Sequence, residues 1–183
     1  MALQFTTSHL EDSLSLFRYY KKLGEDAMAQ VADAELTVTL DSEMNSIALI
    51  VKHMAGNMRS RWTDFLTSDG EKPDRNRDTE FEMNPGTTRA DVMAWWETGW
   101  KCVFDAVDPL QPEDMGRTIT IRGEAHSVVQ AINRQIAHYS YHIGQIVLLA
   151  KHFKSASWKS LSIPKGQSQQ VNAMAQDKRP QRP

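Results

Sequence analysis

Residues 127–153, SVVQAINRQIAHYSYHIGQIVLLAKHF, predict one long helix around which the rest of the chain is organised. Its start is typical of a capping box, in which Ser127 pairs with Gln130. Apolar residues recur at steps of three and four, which indicates one buried helix face. That stripe comprises Val128, Ile132, Ile136, Tyr139, Ile143, Ile146 and Ala150.

Two histidines of this helix, His138 and His142, are four residues apart and therefore lie one turn apart on the same face. Both fall on one flank of the apolar stripe, together with Gln135 and Gln145. Two neutral imidazoles side by side suit zinc and its first-row neighbours as ligands. The spacing alone leaves a second interpretation open, in which two partly buried histidines bond carbonyls or water.

Three further helical patterns precede the long helix. The first covers about residues 3–31, the second begins near Asp41 and Ser42 with a stripe over residues 44–65, and the third covers residues 89–107. Thr88 followed by Asp91 resembles a capping box at the start of the third. In the second, His53 lies off one flank and shares its face with Asn57, so it could join the histidine pair if the helices pack side by side.

Residues 68–88, SDGEKPDRNRDTEFEMNPGTT, form a long charged loop between the second and third helices. Loops of this length are generally functional or disordered. Arg75 and Arg77 could contact an anionic ligand, although a solvated charged loop is the favoured interpretation. Residues 118–122, TITIR, predict a short extended piece before the fourth helix. The sequence thus predicts an all-α fold, a four-helix bundle, as one domain over residues 1–170 with a flexible C-terminal tail over 171–183.

Composition excludes several classes of protein. A net charge of −2 over 183 residues argues against nucleic-acid binding, and no apolar run is long enough to cross a membrane. The sequence shows no secretory signal, and its single cysteine, Cys102, fits a cytoplasmic protein. Cys102 lies in an apolar helical stretch and is interpreted as core filler rather than as a nucleophile.

Two segments carry a resemblance to a known family. HYSYHIGQIV (138–147), preceded by VKHMAGNMRSRW (51–62), resembles the DinB/YfiT-like family of metal-binding four-helix bundles. LTSDGEKPDRNRD (66–78) and SIPKGQS (162–168) are similar to an uncharacterised branch of it, and the likeness extends from the first helix to about residue 172. The resemblance implies a divalent metal held by His53, His138 and His142. It also implies a homodimer and a transferase or isomerase that uses a low-molecular-weight thiol such as bacillithiol or mycothiol.

Three protein ligands without an obvious fourth predict an open metal site, with zinc or nickel as the expected ion. Such a site could bind a small-molecule thiol or activate water. Asn57, Gln135 and Gln145 are candidates for orienting the imidazoles or the substrate. No carboxylate falls within one helical turn of the three histidines, so no catalytic base is identified. Two alternatives remain open: a non-catalytic stress-response or binding protein with a structural metal, and a helical scaffold without metal.

Overall fold

The computed structural model describes residues 8–177 of the chain and is mostly helical. The predicted all-α class is therefore confirmed in outline, with one small two-stranded sheet in addition. The helices are α1 (His9–Met28), α2 (Ile47–Trp62), α3 (Arg89–Val107), α4 (Val128–Lys154) and α5 (Ser168–Asp177). The strands are β1 (Thr118–Ile121) and β2 (Glu124–Ser127). Within residues 8–177, none of these helices combines the length and the apolar character that crossing a membrane would require.

Helices α1 to α4 share one core, and its centre is the fully buried ring of Phe17 on α1. That ring lies 6.1 Å from Trp62 of α2, 6.3 Å from Trp100 of α3 and 5.9 Å from Tyr139 of α4, measured between ring centroids. Burying an aromatic ring of this size contributes about 1.5–3 kcal/mol. Helix α2 packs against α3 and α4, while α1 packs against α4, so α2 and α4 lie side by side as the histidine pattern requires.

Helix α4 forms as its sequence predicts. Ser127 is the N-cap residue: its side chain accepts from the Gln130 amide, and the Gln130 side chain accepts from the Ser127 amide. The apolar stripe is buried except at Ile136, which is half-buried. At 1.5 Å per residue, its 27 residues span about 40 Å, enough to carry both core contacts and a polar site.

Helix α2 begins later than the sequence predicts. Asp41 accepts from the amides of Glu43 and Met44 and so closes a separate turn, while Ser46 caps the helix through the Leu49 amide. A short acceptor at Asp41 therefore satisfies a turn rather than a helix start. Helix α3 has the predicted bounds, including the Thr88 and Asp91 capping box.

The loop between α2 and α3 is fastened to the hairpin. Strands β1 and β2 pair antiparallel, and their turn at Arg122 and Gly123 has φ angles of 56° and 76°, the left-handed conformations that two-residue hairpin turns need. The carboxylate of Asp69 accepts from both turn amides at 2.8 Å, and the Gly70 amide donates to Thr120 at 2.8 Å. The sequence predicted one extended piece and missed β2, whose pairing depends on this turn.

The C-terminal segment contains helix α5 over Ser168–Asp177, most of which lies in the stretch from residue 171 that the sequence predicted as a tail. Glutamine, alanine and methionine in this segment have high intrinsic helix propensity, which needs no apolar stripe. The domain boundary at residue 170 stays a prediction, and the last six residues of the predicted tail, 178–183, lie outside the described residues.

Candidate metal centre

Three histidines from two helices meet at one point. His53 extends from α2, and His138 and His142 extend from adjacent turns of α4. One ring nitrogen of each lies within 4.8 Å of those of the other two, so the three side chains lie close enough to hold one metal ion. The Nε2 atoms of His138 and His142 are 3.1 Å apart. Two imidazoles on a tetrahedral zinc ion have their ligand nitrogens roughly 3.3 Å apart, which agrees with this spacing.

A carboxylate from the long loop supports His53. Glu80 lies in a 3-10 turn over Asp78–Phe81, and its Oε2 atom accepts from His53 Nδ1 at 2.8 Å. Arg75 donates to the same carboxylate from Nε at 2.8 Å and from Nη2 at 3.0 Å. Burial alone would raise the pKa of Glu80, but the bonds from His53 and Arg75 hold it below its usual range. Glu80 is therefore an ionised acceptor, and His53 carries its proton on Nδ1.

Gly56 makes room for that carboxylate. A Cβ atom at position 56 would collide with Oε1 of Glu80 and lie 2.6 Å from its Cδ. Helix α2 therefore has a gap in its side chains one turn after His53, and Glu80 fills it. A glycine in a helix interior costs about 0.5–1 kcal/mol relative to alanine, so the space for Glu80 is obtained at some expense of helix stability.

His142 is oriented in the same way by Gln145, whose Oε1 accepts from Nδ1 at 2.9 Å. Burial lowers the pKa of His142 despite this bond, so the ring is neutral at pH 7 and its lone pair is on Nε2. An imidazole that donates from one nitrogen to an oxygen and presents the other is the usual arrangement of metal-binding histidines.

His138 completes the set. Burial, followed by the neighbouring His142 and His53, lowers the pKa of His138 to about 3. Its Nδ1 atom is buried and has no hydrogen-bond partner among the described residues. Three convergent imidazoles, two with their tautomers fixed by oxygen acceptors and one with an unsatisfied buried nitrogen, fit a divalent ion such as zinc or nickel.

Aromatic rings cover the His53 side of the cluster. Phe81 stacks on the His53 ring, with centroids 4.8 Å apart and planes 27° apart, and the guanidinium of Arg77 lies 5.0 Å from the Phe81 centroid. Below the cluster, burial raises the pKa of Tyr139, whose hydroxyl stays protonated and donates to Asn57 at 3.4 Å. The Phe81 ring therefore covers one face of the His53 imidazole.

A cavity of about 320 Å³ opens beside the histidines. His53 and His138 line it, together with Asn57, Gln135 and five arginines. This volume is at the lower end of the range for small-molecule sites. The predicted supporting residues thus divide in two: Gln145 contacts a histidine directly, whereas Asn57 and Gln135 face the cavity.

Local sequence patterns did not identify Glu80, and they suggested Arg75 as a contact of an anionic ligand rather than as the partner of Glu80. Glu80 is 27 residues from His53 and lies in a segment without periodicity, so it is not among the carboxylates within one helical turn of a histidine. The prediction of a solvated loop is wrong for Arg75, whose side chain is only 4 % exposed. The one available signal was the charge density of the loop, which does not indicate which charge turns inward.

Cys102 lies away from the histidines, in a different cavity that Asp105 also lines. Burial, and secondarily Asp105, raises the pKa of its thiol, so the residue is a protonated thiol at pH 7. It is half-buried against the core. These properties agree with its interpretation as core filler, because a nucleophilic cysteine needs a lowered thiol pKa.

Comparison with known proteins adds one finding. The search of curated proteins found no match. A family model described as "Protein of unknown function (DUF1572)" matches residues 4–167, which include all four long helices and the three histidines. Because this match covers most of the chain, the protein belongs to the DUF1572 family.

Proposed function

We propose that this protein is a divalent-metal-dependent transferase that acts with a low-molecular-weight thiol. The observation that carries the proposal is an open donor set: three convergent histidines beside a cavity large enough for a small molecule. Structural zinc sites are usually closed by four protein ligands, whereas catalytic ones keep a position for water or substrate. His53, His138 and His142 would be the ligands, with zinc or nickel as the ion.

The proposal includes the finer fold assignment. Helices α1 to α4 would form a DinB-like four-helix bundle with its site between facing helices, as the resemblance of the segments at 51–62 and 138–147 implies. We further propose a cytoplasmic homodimer. Fold likeness alone does not determine the reaction, so the argument for transfer depends on the site itself.

The residues of the chain have separate tasks in this mechanism. Glu80 and Gln145 hold the Nδ1 protons of His53 and His142, so both rings keep one orientation. His53, His138 and His142 would hold the divalent metal, which would supply the acidity needed to deprotonate a substrate thiol at neutral pH. Phe81 shields His53 from water, and the cavity gives the second substrate a position next to the histidines.

The test is an assay of thiol conjugation with the purified, zinc- or nickel-loaded protein. A panel of low-molecular-weight thiols, including cysteine, bacillithiol and mycothiol, is incubated with an electrophile such as monochlorobimane, and the thioether is measured by fluorescence. We expect conjugation above the uncatalysed rate, lost in His142→Ala. The matched control is His152→Ala, because His152 is an exposed histidine on the same helix. A stoichiometrically loaded protein without activity on any pair would contradict the proposal.

A second candidate function has one observation in its favour. The three histidines join α2 to α4, so an ion between them would fasten two helices together, as in a non-catalytic stress-response or binding protein. Metal-binding energy then becomes folding energy. Removal of the metal separates the two: an enzyme loses conjugation activity, whereas a purely structural site loses only stability, with no activity before chelation.

A further inference from the structure

Five arginines surround the cavity beside the histidines, and they come from four separate segments of the chain. They are Arg61 on α2, Arg75 and Arg77 in the long loop, Arg122 in the hairpin turn and Arg134 on α4. No aspartate or glutamate lines this cavity in the part of the chain that the structure describes. Residues so distant in sequence converge only through the fold, so the positive charge belongs to the cavity and not to one basic segment.

Two carboxylates behind the lining balance part of this charge. Glu71 pairs with Arg61 at 3.0 Å and with Arg122 at 2.9 Å, while Glu80 pairs with Arg75 at 2.8 Å. The five guanidiniums outnumber the two carboxylates that pair with them, so the cavity lining keeps a surplus of positive charge. The ion pairs also fix the side chains of Arg61 and Arg75, each 4 % exposed, so that part of the wall is preorganised.

The surplus resides on arginines with free donors. Arg77 and Arg134 are exposed, and neither forms an ion pair within residues 8–173, the range over which the structure describes side chains. The guanidinium of Arg77 is held near the Phe81 ring, 5.0 Å from its centroid, and therefore stays at the cavity. Planar guanidiniums match carboxylates and phosphates through paired N–H donors.

Two buried polar atoms of lining residues also lack partners. Arg61 is buried, and its Nε atom makes no hydrogen bond to any described residue. The Oε1 atom of Gln135, which is 2 % exposed, is unsatisfied in the same sense. A buried donor without an acceptor is costly, and each such case requires an explanation. An anionic ligand oxygen would satisfy Arg61, and a ligand hydroxyl or amide would satisfy Gln135.

The size of the cavity selects the kind of anion. About 320 Å³ holds a small molecule and not a polymer backbone, and the net charge of −2 on the whole chain opposes nucleic-acid binding. We propose that this cavity binds the anionic group of a small-molecule substrate, a carboxylate or a phosphate, and holds it beside His53 and His138. The inference builds on the proposed function, because it names the substrate class of that same site.

Isothermal titration calorimetry of the zinc-loaded protein tests this inference without thiol or electrophile. The probes are succinate for carboxylates and inorganic phosphate for phosphates, with uncharged succinamide as the comparison. We expect succinate or phosphate to bind and succinamide not to bind. The anion that binds more tightly indicates whether the substrate's anionic group is a carboxylate or a phosphate. Raising the salt concentration should weaken binding, because added ions screen charges near the surface.

Arg77→Gln and Arg134→Gln should each weaken anion binding about tenfold, and the double variant more, because each removes a charge-assisted contact. Arg134→Lys keeps the charge and should recover part of the affinity. The matched control is Lys151→Gln, which removes one exposed positive charge from α4 away from the cavity and should bind as the unaltered protein does. Both arginines are exposed, so thermal unfolding should show all variants folded.

Failure of this inference differs from failure of the proposed function. Absence of anion binding, or equal affinities in Arg134→Gln and Lys151→Gln, overturns the anion site even when thiol conjugation is observed. Anion binding that depends on Arg77 and Arg134 supports the anion site, even when no conjugation is found. Conjugation, where present, should show a raised KM for acidic electrophiles in Arg134→Gln, with kcat little changed.

Discussion

The carboxylate of Glu80 bonds both His53 and Arg75, and all three side chains are less than a tenth exposed. A buried ion pair gains little over apolar packing, but breaking one leaves an uncompensated charge and costs several kcal/mol. Here the pair also sets which nitrogen of His53 is free. The main role of this ion pair is therefore to orient the His53 imidazole rather than to stabilise the fold.

Glu80→Gln should weaken zinc binding by about tenfold to a hundredfold. Glutamine can still accept from His53, but it loses the charge that favours a donor Nδ1 and the paired bonds to Arg75. The measurement is a competition titration against a chromophoric chelator, with circular dichroism to confirm folding. Glu82→Gln is the matched control, since Glu82 is an exposed glutamate two residues away. Equal zinc affinities in the two variants would contradict the orienting role of Glu80.

Asp69 predicts a pH dependence, because it fastens the loop to the hairpin turn. Backbone N–H bonds, from Glu71 first and then Gly123, lower the pKa of its carboxyl from the ordinary 3.8. A group whose pKa is lower in the folded state stabilises it fully above the unfolded value, and this contribution disappears as pH falls through the folded value. Asp69→Asn should therefore cost about 1 kcal/mol at pH 7, and less below pH 3.8.

Urea unfolding of both proteins at pH 7, 5, 4 and 3 measures this difference. Asp78→Asn is the control, because Asp78 is an exposed carboxylate of the same loop that bonds no described residue of the hairpin. The free energy of unfolding of this variant should match that of the unaltered protein. If the difference in free energy of unfolding between Asp69→Asn and the unaltered protein stays constant from pH 7 to 3, the charge of Asp69 does not contribute to stability.

At the scale of elements, close packing between α2 and α3 depends on Gly99. A Cβ atom there would lie 2.9 Å from Cα of Ala55 and 2.9 Å from Sδ of Met58, so backbone would have to move. Gly144 on α4 is the opposite case, because it is exposed and nothing lies within 4 Å of the position of its Cβ atom. Replacing glycine by alanine should therefore lower the free energy of unfolding at position 99 and raise it at position 144.

Gly99→Ala should destabilise the protein by about 1–3 kcal/mol through overpacking. Gly144→Ala should stabilise it by roughly 0.5–1 kcal/mol, since alanine has less backbone freedom to lose and nothing obstructs it. Chemical denaturation of both variants gives the two free energies of unfolding, and each serves as the control for the other. Destabilisation by Gly144→Ala, or none by Gly99→Ala, would contradict this packing.

Local patterns predicted the elements well, because helix signals are encoded within a few residues. The α4 stripe and the capping boxes at Ser127 and Thr88 are of this kind. The helical period of α4 also indicated that His138 and His142 share a face. Pairings between distant segments left no such signal. Two such pairings are the bond of Asp69 to the hairpin turn and the bond of Glu80 to His53. Both depend on how the long loop folds back, and the sequence of a charged loop does not show which of its charges become buried.

At the scale of the whole molecule, the histidine cluster joins segments that are far apart in the chain. His53 lies on α2 and His138 on α4, while Glu80 belongs to the loop between α2 and α3. An ion that binds only the folded arrangement stabilises it by mass action. The free energy of unfolding should therefore report on metal binding independently of any reaction.

Zinc at a hundred times its dissociation constant should raise the free energy of unfolding by about 2.7 kcal/mol. His138→Ala should abolish most of this increment, whereas His152→Ala, on the same helix and away from the cluster, should preserve it. Urea unfolding with zinc and with excess chelator measures the increment for each protein. If zinc does not change the free energy of unfolding of the unaltered protein, the proposal of a metal centre is contradicted.

Positions 56 and 80 constrain each other sterically, because the carboxyl group of Glu80 occupies the space that a Cβ atom at position 56 would need. Among homologous proteins, we expect a substitution at one of these positions to occur only together with a substitution at the other. A lineage that acquired alanine at 56 should also have exchanged the glutamate at 80 for a shorter acid or lost it. Comparing enough sequences would reveal such correlated replacement.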